Sequence, residues 1–134
     1  MMRYVFVYGT LRAGEINDII VAAARNEIMQ PRLLGRAAVA GRLFDFGSYP
    51  GMIADAYAAP VLGEVYEIDD ALVPVLDDIE KVYPGVPGLF LSQQVEVEVE
   101  GRQMACLFYP VAPERADGRP EIHGGDWVAH RLAR

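Results

Sequence analysis

The chain has 134 residues, enough to bury one hydrophobic core and too few for two domains of ordinary size. Hydrophobic residues make up 52% and charged residues 23%, the balance of an ordinary globular protein. A net charge of -7 and a pI of about 4.7 have the wrong sign for gripping phosphate backbones, so nucleic acid is not expected as a partner.

Nothing resembles a targeting signal or a membrane span. The first apolar segment is interrupted at Gly9 and Arg12, well short of the roughly 20 residues a spanning helix needs. The single cysteine, Cys106, sits in the apolar run "MACLFY", where an inert buried thiol is expected, with no disulfide and no cysteine-rich metal site. These features fit a reducing compartment, most simply the cytoplasm.

Residues 3–8, "RYVFVY", are rich in aromatic and β-branched types and predict a central strand that stops at Gly9. Asn17 is the expected N-cap of a helix through "DIIVAAARNEIM", with Pro31 marking a stop just beyond. Apolar stretches at 33–40 and 42–46, separated by Gly41, read as two strands joined by a turn, followed by the loop "FGSYPGMI". "VLGEVYEI" (61–68) is a further strand. Asp69 and Asp70 open a short helix to about Glu80, with Pro74 in its first turn.

"QVEVEVE" (94–100) alternates strictly, with Val95, Val97 and Val99 on one face and Glu96, Glu98 and Glu100 on the other. It predicts a half-exposed strand that Gly101 turns into a hairpin partner, "RQMACLFYP". Residues 110–126 read as a loop, and "GDWVAHRLAR" as a tail ending in one helical turn. Strands outnumber helices and hairpin-length turns join several of them. The expected architecture is therefore a single α+β domain over 1–134, a small, largely antiparallel β-barrel with helices packed outside.

Nucleophiles are scarce. Ser48 lies in "FGSYPG", where Phe46 stands in place of the first glycine of a Gly-x-Ser-x-Gly elbow. His123 and His130 lack the spacing of a metal pair and read as surface residues. Gly9 and Gly14 have the spacing of a phosphate loop, but Glu15-Ile16 follows where Lys-Ser/Thr is required. The turn after Tyr8 is either a plain tight turn or a backbone anion nest. In the second case Gly9 admits a ligand close to the chain, successive amides at 9–11 converge on it, and Tyr8 offers its hydroxyl. On a helical wheel Leu72, Val75, Leu76 and Ile79 form one stripe, and Glu80 falls at its margin. It is either a boundary glutamate with its head in water or a half-desolvated carboxylate with the raised pKa of a general base.

The ordered set "VYGTLR…N", "GRLFDFGSYPGMI", "VLGEVYEIDD", "LDDIE" and "HGGDW" resembles the γ-glutamylcyclotransferase-like family over roughly residues 4–127, most closely its small bacterial members and the γ-glutamylamine cyclotransferases. The resemblance implies a small mixed β-barrel flanked by helices. It implies that Tyr8, Gly9, Thr10 and Leu11 bind a γ-glutamyl group through the backbone, that Glu80 is the catalytic glutamate, and that Tyr109 lines the pocket. No cofactor or metal is implied. The expected partner is a small γ-glutamyl substrate, converted to 5-oxoproline and a free amine or amino acid. Two departures stand out: Lys81 follows Glu80 where members often have glycine, and "LFLSQQ" puts Phe90 and Ser92 where tyrosine and arginine are common. A non-catalytic binding domain of the same fold, or a related amide hydrolase or acyltransferase, are the alternative expectations.

Overall fold

The computed structural model describes every residue of the chain except Pro84 and Val86. The apolar run at the start forms β1 (Met2–Val7), followed by α1 (Ile19–Arg25), β2 (Arg32–Asp45), β3 (Pro50–Ala54) and β4 (Pro60–Asp69). A 3-10 turn over Asp70–Leu72 leads into α2 (Val73–Glu80). The β5–β6 hairpin (Gln93–Val99 and Arg102–Phe108) and a second 3-10 turn at Pro113–Ala116 precede α3 (Trp127–Ala133). The six strands form one curled sheet in the order β3-β2-β4-β1-β6-β5. Every neighbouring pair is antiparallel except β1 with β6, which are parallel.

β1 is buried on both faces, which is why it reads as an unbroken apolar run rather than an alternation. Phe6 and Tyr8 point to the concave side, with Leu43, Met52, Val65, Val97, Phe108 and Trp127. Val5 and Val7 point to the convex side, where Ile19 and Ala23 of α1 and Leu76 of α2 cover them. The curl brings the start of β2 to the end of β5. A Cβ on Gly35 would lie 3.2 Å from the side chains of both Val99 and Glu100. The α+β half-barrel with outer helices agrees with the sequence expectation, and its strand interior is filled by side chains.

The elements from β4 to β6 match closely. Asp69 caps the turn before α2 by accepting from the Ala71 N–H at 2.8 Å, and Pro74 lies in the first turn. Val97 and Val99 are buried while Glu96, Glu98 and Glu100 are exposed. Glu100 (φ 52°) and Gly101 (φ 78°) make the two-residue turn whose positive φ angles match strand twist. Cys106 is fully buried and its thiol is pushed up to about 11, chiefly by burial, as an inert side chain should be.

Three boundaries differ. Gly41 is not a turn: β2 is one 14-residue strand that pairs with β4 through Ala40 and with β3 from Gly41 onwards. Glycine is needed there because a Cβ would sit 2.6 Å from the Ile53 carbonyl oxygen and 2.8 Å from Met52 Cε. The N-cap of α1 is Asp18, which accepts from Ile20 N–H at 2.9 Å, and the helix ends at Arg25, with Glu27 at φ 55° turning the chain before Pro31. The tail carries a seven-residue helix, α3, and His130 within it is not a free surface histidine, since its Nε2 lies 2.8 Å from Asp45 Oδ2. No helix of the described residues is long and apolar enough to cross a membrane.

The crowding at Gly41 has a measurable consequence. Gly41→Ala should cost about 2–3 kcal/mol in denaturant unfolding, because both obstacles are close and one is backbone. Gly124→Ala, with nothing within 4 Å of the new methyl, should stay within about 0.5 kcal/mol.

Candidate active site

Because β1 and β6 run parallel, with Val5 opposite Leu107, the residues that follow them emerge at the same rim of the sheet. The Tyr8-Gly9-Thr10-Leu11 turn follows one strand and Tyr109 follows the other. α2 crosses the convex face and ends at that rim, where Lys81 adopts a left-handed conformation (φ 56°) and returns its N–H to Asp77 and Asp78 carbonyls. Glu80 is thus the last helical residue and faces the gap between turn and helix. The six residues Tyr8, Gly9, Thr10, Leu11, Glu80 and Tyr109 all line one cavity of about 570 Å³. Tyr49, Pro50, Leu89 and Phe90 close its other side.

Glu80 is half-buried, with its carboxyl set among apolar and aromatic groups, and that desolvation pushes it up to about 7. Lys81, next in sequence, is exposed, and the Glu80 shift is upward despite it. Burial and the nearby Glu80 charge together raise the phenol of Tyr8. Tyr109 is raised by burial first, then by Asp77 and by Glu80. Both phenols are neutral at any working pH.

The roles within the turn differ from those the sequence suggests. Tyr8 does not hold its hydroxyl free for a ligand: the O–H donates to the Tyr109 carbonyl at 2.7 Å and the oxygen accepts from Met52 N–H at 3.1 Å. Its hydroxyl ties β1 to β3 and to the end of β6. Tyr109 in turn donates its own O–H to Asp77 at 2.7 Å, joining the rim to α2. Gly9 is glycine because a Cβ would meet Pro50 Cγ at 2.6 Å, a packing requirement that exists without any ligand. Leu11 buries its side chain in the helix-side core and offers the cavity only backbone. Thr10 Oγ1 accepts from Asn17 Nδ2 at 3.1 Å, so Asn17 braces the turn instead of capping α1. The turn's carbonyls are used internally, Gly9 by Arg12 N–H and Thr10 by Asn17 N–H. The N–H groups of Gly9, Thr10 and Leu11 find no acceptor among the described residues. Three donors beside a carboxylate suit an anionic or carbonyl-bearing ligand.

Sequence reading missed the groups that hold this turn in place. Arg12 donates through Nε to Glu64 and through a terminal nitrogen to Asp126 Oδ1 at 2.9 Å, and Ala13 N–H also reaches Glu64, at 3.2 Å. Asp126 caps α3 by accepting from Val128 and Ala129 N–H. Burial alone would raise its carboxyl, but the Ala129 amide and the Arg12 guanidinium outweigh that and hold it below the usual range. Beside this cluster Glu15 is buried, accepts from Trp127 Nε1 at 2.9 Å and accepts from two nitrogens of Arg131, Nε at 3.0 Å and Nη2 at 2.7 Å. The forked pairs fix geometry as well as charge. "GEVY" and "GDW" thus clamp the turn from β4 and α3. The partners are 52 and 114 residues away from Arg12, beyond any local periodicity.

Two stability measurements follow. Arg12→Leu leaves the buried Glu64 carboxylate without its cation and removes one partner of Asp126, and should cost about 3 kcal/mol, whereas Arg32→Leu, at the exposed Arg32–Glu67 pair, should cost under about 0.5 kcal/mol. For Glu80, the folded chain holds a proton up to about pH 7 that an unfolded carboxyl releases near 4.3. Its contribution is therefore fully present below the unfolded value and lost as pH rises through about 7. Glu80→Gln should melt with the parent near pH 4 and be more stable at pH 8, by about 3 kcal/mol. Parallel stability curves across that range would contradict the burial of the charge.

Residues 5–129 match the family model described as gamma-glutamyl cyclotransferase, AIG2-like. The chain is similar to the gamma-glutamylaminecyclotransferase of Bos taurus, 31% identical over 121 residues that cover 81% of this chain and 65% of that protein, just under two thirds of its length. It is also similar to the gamma-L-glutamyl-butirosin B gamma-glutamyl cyclotransferase of Niallia circulans, at 32% identity over 98% of this chain and 79% of that one. Among solved structures, an AIG2-like protein from Mus musculus superposes with a TM-score of 0.72 at 25% identity, covering 91% of this chain and 86% of the mouse chain. On the match of 125 consecutive residues, carried by the same curled sheet, the chain belongs to the gamma-glutamyl cyclotransferase, AIG2-like family.

Proposed function

We propose that the chain converts a small γ-glutamyl amine or peptide into 5-oxoproline and the free amine, with Glu80 as general base. One observation carries the reading: a carboxylate raised to about 7 lines the same cavity as Gly9, Thr10 and Leu11, whose amides have no acceptor among the described residues. A base acting near neutrality needs that pKa, and a developing oxyanion needs fixed donors. Family membership and the names of the relatives point the same way.

In this reading the turn amides hold the γ-glutamyl group, and Tyr8 and Tyr109 shape the wall beside it. Glu80 takes a proton from the substrate's α-ammonium. The freed nitrogen attacks the γ-carbonyl carbon, forming a new C–N bond and a tetrahedral oxyanion. The protonated Glu80 passes its proton to the departing nitrogen and takes the second proton from the ring nitrogen. The oxyanion collapses and the old γ-amide C–N bond breaks. The released amine carries away that second proton as an ammonium, leaving the neutral lactam and Glu80 as it began. Attack within one molecule makes the folded-back conformer the main requirement, and holding it would supply several kcal/mol of barrier reduction. Neither a cofactor nor a metal takes part in these steps.

Glu80→Gln should lose about 10²–10⁴-fold in 5-oxoproline release from γ-glutamyl substrates while keeping its fold and its ligand-induced thermal stabilisation. The parent's kcat/KM should rise with pH through a midpoint near 7. Full activity in the variant, or free glutamate in place of 5-oxoproline, would overturn the mechanism. Thermal stabilisation by γ-glutamyl compounds without turnover would make the chain a binding domain instead.

A further inference from the structure

The cavity is larger than a γ-glutamyl unit requires. About 570 Å³ is the size of pockets that enclose drug-sized ligands, so the part away from the turn has room for the group attached to the γ-carbonyl. That part has a consistent chemistry. Tyr49 stacks on Phe46 with ring centres 5.7 Å apart, and Phe90 meets Tyr49 at 5.9 Å in a tilted arrangement. Leu89 and Phe90 pack against the small core formed by Phe44, Phe46, Val111 and Ala116, while Pro50 sits under the turn.

The wall is fixed before any ligand arrives. Leu91 N–H donates to the Pro110 carbonyl at 2.7 Å and Ala112 N–H to the Leu89 carbonyl at 3.2 Å, so the 89–91 segment is tied to the chain beyond β6. The Arg119 guanidinium lies 4.8 Å over the Phe46 ring and backs the stack from behind. A rigid aromatic surface rewards a flat or branched apolar group and gives nothing to a methyl. Among the described residues the charged groups on the lining are Glu80 and Lys81 alone. Glu80 is used at the reacting centre in the reading above. Lys81 is the charge a leaving group would meet, and it is positive.

We infer that the amine released from the γ-glutamyl substrate is aromatic or bulky and apolar, seated on the wall of Tyr49, Leu89 and Phe90, and that Lys81 disfavours cationic amines. This rests on the cyclotransferase reading and adds the identity of the leaving-group class. The hydrocarbon part leaves water on binding, and a stacked ring gains contact with both Tyr49 and Phe90. Among the described lining residues, a leaving group bearing an ammonium finds no carboxylate to pair with outside the reacting centre.

The test compares the γ-glutamyl amides of phenethylamine, methylamine and 1,4-diaminobutane, with 5-oxoproline release read by mass spectrometry. The phenethylamide should exceed the methylamide in kcat/KM by at least about tenfold, and the diaminobutane amide should fall below both. Phe90→Ala and Tyr49→Ala should each bring the phenethyl-to-methyl ratio towards one. Tyr49 is only half-buried, so that variant decides the matter should Phe90→Ala fail to fold. Lys81→Glu should raise the diaminobutane amide several-fold relative to the methylamide. Glutamate is already accommodated in this chain at the same backbone conformation, at Glu27 (φ 55°). Equal rates for the three amides, or a preference for the aromatic one that survives folded wall variants, would overturn the inference and leave the cyclotransferase reading standing. Absence of 5-oxoproline from every amide would overturn both.

Discussion

The parallel alignment of β1 with β6 is the constraint on which the rest of this structure depends. In an otherwise antiparallel sheet, neighbouring strands end at opposite rims and their following residues diverge. Here two neighbours end together, so the Gly9 turn and Tyr109 meet without either being stretched to reach the other. The ends of parallel strands are recurrent places for ligand clefts because chain departs there in two directions and leaves a gap. α2 fills the gap on one side and stops at Glu80, since Lys81 takes the left-handed cap. The cavity is what remains between three elements that cannot approach further, with Pro50 touching Gly9 as the fourth.

Two kinds of charge burial coexist around that cavity. Arg12, Glu64 and Asp126, and beside them Glu15 with Arg131, are matched by opposite charge and by hydrogen bonds, so their burial fixes geometry. Glu80 has no such compensation among the described residues: its carboxyl responds to burial by holding its proton to about pH 7. The first group makes the turn rigid. The second is a local cost in stability at neutral pH, of the kind found where a group is shaped for chemistry rather than for folding.

What the sequence made legible, and what it did not, divides along range. The valine–glutamate alternation of 94–100 declares its strand face because the period is local, and the stripe of Leu72, Leu76 and Ile79 locates Glu80 for the same reason. Gly41 misleads because the same residue serves a turn or a close crossing, and only Ile53, twelve positions away, decides which. Asn17 looks like a cap and is a brace, since Asp18 beside it reaches both Ile20 N–H and Gly14 N–H. Tyr8 is placed correctly in the cavity wall, yet its hydroxyl is engaged by Met52 and Tyr109, which no local pattern reveals. The clamp on Arg12 joins three distant segments and was invisible, although a family resemblance already drew attention to the "GEVY" and "GDW" pieces that supply it.

The most direct test of the account is the ionisation of Glu80 itself, followed by the side-chain carboxyl ¹³C shift of a selectively labelled chain, with Glu80→Gln to assign the signal. The partly buried carboxylate that shares its cavity with the Gly9, Thr10 and Leu11 amides predicts a titration midpoint near 7. A midpoint in the ordinary range near 4.3 would mean that water reaches the acid freely, and the base at the centre of this account would not exist.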